Sequence, residues 1–477
     1  MYDTIKDMDP QNTETITIPP VINQPAAPAS EVEPPKKSFP ALLIVIPVIL
    51  LLIVGIFFAA RYLISRFGSG STSITSGEVI WWELWENQSV IGPLISEYEQ
   101  SHPNVKINLV IQDKEDYRER LTSALAKGTG PDIFSFHNSW VPMFRQDLEP
   151  IPSSVMTSTD FSKNYYPIAL SNLTLGAGIV GIPLEYDGLG LFINQDIFET
   201  QGKSIPTTWD DLRQTALALT IKDETGVIKQ AGVALGRTEN VDHWQEILGL
   251  MMLQNKVNLE NPSSKNAEDA LTFYTIFSSV DGVWDSTLPS STQAFASGKL
   301  AMYFAPSWEA HAIKAINPSL RFKVVPVPQL PKDSPNEPNV AYATYWVQGV
   351  SKKSKNKALA WDFMKFIASR ESLQKMYQNA AVQRSFGEPY PLVDMGNLVV
   401  GDGVVGGILS QAPYAQSWYL ASRTFDGPTG INSQVSKYFE DAVNAVNSGT
   451  RASDALVTVT QGINQVLSTY GLTTQAQ

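Results

Sequence analysis

Residues 79–136 read VIWWELWENQSVIGPLISEYEQSHPNVKINLVIQDKEDYRERLTSALAKGTGPDIFSF. Val79–Trp82 is a strand-like apolar run, and Ile91, Leu94, Ile95 and Tyr98 then recur at helical spacing. Val105, Ile107, Leu109 and Ile111 alternate as a strand, Tyr117, Leu121 and Leu125 resume a helical face, and Ile133–Phe136 is strand again. The order β-α-β-α-β predicts a parallel sheet covered by helices, with ligand bound beyond the carboxyl ends of its strands. Trp82, Trp85 and Glu86 follow the first strand, and His137, Asn138, Ser139 and Trp140 follow the third. Both groups stand where that rule places a ligand.

Upstream, Phe39–Ala60 reads FPALLIVIPVILLLIVGIFFAA without a charge. As a helix it would be about 33 Å long, enough to cross a hydrocarbon core of about 30 Å. It exceeds the apolar region of a signal peptide and is followed by Arg61 and Arg66, so the expectation is one uncleaved transmembrane helix. Lys36 and Lys37 balance those two arginines, so charge bias leaves the orientation open. The tail is placed inside because the large C-terminal part needs access to solutes. Residues 1–38, rich in Pro, Thr and Glu, read as a disordered tail, and residues 61–77, ending in GSGSTSITSG, as a flexible tether. The remaining roughly 400 residues fit two lobes better than one.

The net charge of −12 argues against nucleic acid or an anionic membrane surface as the main partner and favours a neutral or cationic ligand. With no cysteine, the chain has no disulfide, thiolate metal site or lipid-modified cysteine. Of its eleven tryptophans, Trp82, Trp85, Trp140, Trp244, Trp308, Trp346 and Trp418 fall near segment ends, where loops meet a cleft. Flat apolar rings edged by Asn, Asp and Glu suit the C–H faces and hydroxyls of a carbohydrate. Gly176–Gly181 and Gly401–Gly406 match a dinucleotide-binding spacing without the strand before and helix after that it requires, and the first reads as a hairpin turn. His102, His137, His243 and His311 show no metal spacing and read as surface or loop histidines. No cofactor or metal is expected. Glu83 with Glu86, or Glu185 with Asp187, could form a glycosidase pair, but they serve equally as ligand acceptors or solvated carboxylates.

The ordered segments VIWWELWE (79–86), LISEYEQSHPNVKINLV (94–110), LTSALAKGTGPDIF (121–134), GIVGIPLEYDGLGLFINQDIF (178–198), PTTWDDL (206–212), AFASGKLAMYFAPSW (294–308) and SKKSKNKALAWDFMKFIAS (351–369) carry a resemblance. Together they make residues 78–470 similar to the family 1 extracellular solute-binding proteins of ABC importers, which include maltose-binding protein. The resemblance implies a two-lobed periplasmic-binding-protein-like α/β fold with discontinuous lobes, residues 78–185 plus 341–381 and 186–336 plus 385–470. Crossings would lie near 184–188, 336–341 and 381–385, with ligand trapped by hinge closure.

Carried over by position, Trp82, Trp85, Glu86, Asn138, Ser139 and Trp140 line the first lobe's face, and Tyr186 and Asp187 sit at the crossing. Trp244, Trp308, Glu309, Trp418 and Tyr419 match sugar-stacking positions of the second lobe, while Tyr345 and Trp346 stand on a ligand-contacting loop. The chain departs from the family in its transmembrane segment, and in the bulky Ala343-Thr344-Tyr345-Trp346 where a Gly-rich step is common. The implied function is a monomeric, non-enzymatic receptor anchored outside the cell, which captures an oligosaccharide and passes it to an ABC permease. A membrane-anchored glycoside hydrolase and a sugar-sensing ectodomain are the alternatives.

Overall fold

Three strands, Gly77–Glu83, Val105–Ile111 and Ile133–His137, lie parallel with Gly77–Glu83 in the middle, as the alternation predicts. The computed structural model describes residues 76–332 and 334–472. The tail 1–38, the apolar segment 39–60 and nearly all of the tether 61–77 lie outside the described residues. Among those described, no helix is long and apolar enough to cross a membrane.

Helix Gln88–Ser101 starts where the Asn87 side chain accepts the amides of Ser89 and Val90, and it buries Ile91, Leu94, Ile95 and Tyr98. Helix Tyr117–Lys127 buries Tyr117, Leu121 and Leu125 and stops at Gly128, whose φ of +71° suits a residue without Cβ. A fourth strand, Trp346–Val350, pairs antiparallel with Ile133–His137. This reversal puts its first residue, Trp346, opposite His137 at the carboxyl end of the parallel strands. Helices Lys357–Ile367 and Arg370–Ala381 pack on Gln88–Ser101 and complete this lobe.

The second sheet runs in the order Phe322–Val325, Gly190–Asn194, Leu300–Ala305, Ile228–Val233, Ile221–Lys222. Gly190 pairs with Ala305, and Ile228–Val233 runs parallel to Leu300–Ala305. The segments beginning at Ala234 and Pro306 and the one ending at Leu189 therefore all meet one edge. Helix Lys265–Ser279 packs on Trp244–Gln254 and on the two C-terminal helices, Ile431–Asn447 and Ala452–Thr469. Arg451 precedes the first turn of the last helix and no side chain caps it.

Two segments run antiparallel between the sheets, with Ile182 bridged to Gln348 and Gly188 to Ala343. A third lies beside them, where the Tyr186 amide donates to Pro389 O at 2.9 Å. The two lobes are thus discontinuous in sequence, and their sheets present their functional edges to the same crossing. Gly176, with φ +60°, turns the short hairpin between Thr174–Leu175 and Gly178–Ile179.

Candidate functional site

At that crossing a cavity of ≈ 240 Å³ opens between the lobes. Trp85 enters it from the loop after the first strand, and Trp346 from the reversed strand. Trp308 lines it just past Leu300–Ala305, and Phe425 from the loop before helix Ile431–Asn447. Trp85 packs edge-on to Trp346 at 5.1 Å and tilts against Phe425 at 5.9 Å. All four rings are half-buried. Among the described residues, three of the five non-glycine positions with positive φ, His243, Arg423 and Phe425, line this cavity. Left-handed backbone at ordinary residues costs about 1–3 kcal/mol each and concentrates at binding and switch regions.

The polar lining is mostly ionisable. Glu185 and Asp187 come from the crossing, Arg384 and Glu388 from the third link, and His243 and Glu246 from the start of helix Trp244–Gln254. Burial raises the Glu185 carboxyl well above its usual range, and the charges of Glu388, Glu83, Glu86 and Asp187 push the same way. Glu86 is pushed up to about 7 by burial and by Glu388, against the pull of Arg384, which it meets in an ion pair. Burial lifts Asp187 to about 6 although the amide and hydroxyl of Ser307 donate to it. His137 is lowered to about 3 by burial, which keeps it neutral; its Nε2 lies 2.9 Å from Thr344 Oγ1. Burial pulls His243 down, but its 3.1 Å contact with Glu309 and the charges of Glu246 and Asp242 outweigh that and leave it raised.

The expected site residues separate into three groups. Trp85, Asp187, Trp308, Tyr345 and Trp346 line the cavity, and Glu86 lines a small adjoining recess with Trp85, Glu185 and Trp346. Asn138, Ser139, Tyr186 and Glu309 are buried just behind it in contacts within the protein. Asn138 Nδ2 donates to Asn172 Oδ1 and Ser417 Oγ, Ser139 Oγ donates to Asn432 Oδ1, and Tyr186 lies between Tyr166 and Tyr345. Trp82, Trp140, Trp244, Trp418 and Tyr419 are placed elsewhere than the cavity wall. Trp140 is a fully buried core ring between Tyr117 and Phe144, because the turn after Ile133–His137 points it inward. Trp244 is buried at its helix start, and Trp418 packs on Tyr419 and Phe439.

Three histidines read as surface or loop residues instead converge here: His137, His243 and His311. His137 stood at the expected strand end, whereas His243 and His311, along with Glu246, Arg384, Glu388, Arg423 and Phe425, escaped the sequence reading. They come from separate segments whose approach is set by sheet topology and not by local spacing. The available signal was the Glu185–Asp187 pair inside the expected crossing.

The fold and an aromatic, ionisable interlobe cavity define a two-lobed receptor that encloses a small solute. A family model described as bacterial extracellular solute-binding protein matches residues 83–374, and the chain belongs to that family. It is a solute-binding protein of the ABC-importer type, a non-enzymatic receptor. A binding protein of Brucella abortus is 23% identical over 321 residues, 65% of this chain and 76% of that one. The maltotriose-binding protein of Pyrococcus abyssi is 22% identical over 307 residues, covering 62% of this chain and 63% of its own. A solved cyclo/maltodextrin-binding protein complexed with maltotetraose superposes with a TM-score of 0.67 at 17% identity, covering 82% of this chain and 97% of its own.

Proposed function

We propose that the protein is a membrane-anchored receptor that captures an oligosaccharide in the interlobe cavity and delivers it to an ABC permease. The observation that carries this is the ring set Trp85, Trp308, Trp346 and Phe425, half-buried around one cavity with carboxylates beside them. Such rings offer faces for sugar C–H groups, and the carboxylates accept hydroxyl hydrogen bonds. The maltotriose and maltotetraose named for two similar proteins support a saccharide. Trp85, Trp308, Tyr345 and Trp346 contact the ligand in this reading, and Asn138, Ser139, Tyr186 and Glu309 hold the walls.

The lobes comprise residues 78–185 plus 341–381 and 186–336 plus 385–470, and the protein works as a monomer. The uncharged stretch 39–60 supplies the anchor, with the lobes on the extracellular side. Binding of the protein to a glycan array tests the reading. Retention of a defined saccharide family is expected, and a blank array with binding to a non-saccharide solute would overturn it.

A further inference from the structure

The cavity carries more negative charge than the chain answers. Asp187 is satisfied by the Ser307 amide and hydroxyl and by the Gly188 amide. Glu388 meets Arg384 at 3.0 Å and lines the cavity with Glu185. Glu185 also accepts from the Trp346 amide at 3.3 Å. Glu246, with 0% exposure, takes two bonds from Ser422 on Oε1 and leaves Oε2 without a partner among the described residues.

The cations nearby are committed. Arg384 is divided between Glu86 and Glu388, and Arg423 turns to Asp242 at 3.4 Å. Lys114 stands 5.0 Å over the Phe425 ring, and His243 faces Glu309. Glu185 and Glu388 both line the cavity and burial raises both carboxyls, so they favour a proton that a bound cation would replace. A buried carboxylate oxygen with no donor costs stability until a ligand supplies one. The rings of Trp85, Trp308 and Trp346 also attract positive charge over their faces.

We infer that the ligand is an amino sugar, a saccharide carrying a protonated amine, whose ammonium is held by Glu185, Glu388 and Glu246 while its ring lies against the cavity's aromatic side chains. This rests on the saccharide reading above and narrows it. An ammonium brings three donors and a charge to carboxyls that a neutral sugar would leave without a counter-charge. N-acetylation removes both the charge and two of the donors.

The test is calorimetric titration of the full-length protein in mild detergent with matched disaccharide sets. Each set holds one linkage as neutral parent, 2-amino form and N-acetyl form, at about pH 6.5, where a free amine of pKa about 7.7–8.0 is protonated. The amine should bind at least about tenfold tighter than either partner, a difference of about 1.4 kcal/mol. Its binding should also release a proton, read from two buffers of different ionisation enthalpy. Glu246→Gln should cut the amine preference at least about threefold, and Glu185→Gln serves if the first variant fails to melt cooperatively.

Equal or tighter binding of the neutral or acetylated form would overturn the inference while leaving the saccharide reading intact. An unchanged preference in a folded variant would overturn it as well. Failure of every set together with a blank array would remove the saccharide reading, and this inference with it.

Discussion

Trp85 and Phe425 meet with ring centroids 5.9 Å apart and planes inclined at 47°, one ring from the loop after the first strand and the other from the loop before helix Ile431–Asn447. Segments more than 300 residues apart thus close one side of the cavity. Lys114 over Phe425, and Arg118 donating to Thr429 at 2.5 Å, tie the same two regions together. Phe425→Ala should therefore weaken solute binding by about 1–2 kcal/mol, roughly five- to thirtyfold, through loss of ring contact and of the closed geometry. Titration calorimetry reads the affinity, and an unchanged value would remove Phe425 from the site.

The ligand-free protein should lose stability as pH rises from about 6.5 to 8.5. A carboxyl with a raised folded value keeps its proton in the folded state when the unfolded chain has lost it, so its contribution fades as pH climbs through the folded value. Glu86 at about 7 does this within the window, while Asp187 at about 6 has lost most of its contribution by about pH 6.5; Glu185, Glu388 and Glu83 are shifted in the same direction. His243, raised, adds the same trend. His137 at about 3 and His311 at about 4 act oppositely, but only below the unfolded value of 6.5. The melting temperature across this window checks the sign, and a rise of even a few degrees would contradict it.

Much of the first lobe was legible because its apolar spacing switches cleanly between strand and helix periods, and each helical stripe is buried as expected. The pattern misled at Ile111, 46% exposed, because Val105–Ile111 is an edge strand with a partner on one side only. In the site, Trp85, Trp308 and Trp346 were found because strand ends fix where they emerge. Glu246, the Arg384–Glu388 pair and Phe425 were not, since they come from three separate segments that only the crossing brings together. Trp140 shows the limit of the strand-end rule: the position after the third strand was right, but the turn there faces the core.

The crossing itself is closely packed. A Cβ added at Gly188 would lie 2.4 Å from the backbone oxygen of Tyr342 on the neighbouring segment. Gly188→Ala should cost about 1–3 kcal/mol of folding stability, because backbone in a paired crossing has little room to yield. Denaturant unfolding measures it, and an unshifted midpoint would mean that the two segments separate easily.

A fragment starting at Ser76 should fold without the upstream segment, since the described residues fall within one compact unit. Cooperative thermal unfolding is expected. Aggregation or a gradual, non-cooperative melt would show that the lobes need the residues before them.

The claim that the interlobe cavity is the solute site is tested most directly by comparing two tryptophans, one on its wall and one in the core. Trp308 is half-buried against the cavity beside His243, while Trp140 is fully buried with no cavity face. Trp308→Ala should cost roughly 1.5–3 kcal/mol of binding to the saccharide selected by the array, with little change in melting temperature. Trp140→Ala should remove roughly 3–5 kcal/mol of folding stability. Titration of the Trp308 variant beside its thermal melt is the deciding measurement: weaker binding with a preserved melt is the predicted result, and unchanged affinity with a collapsed melting temperature would contradict the account.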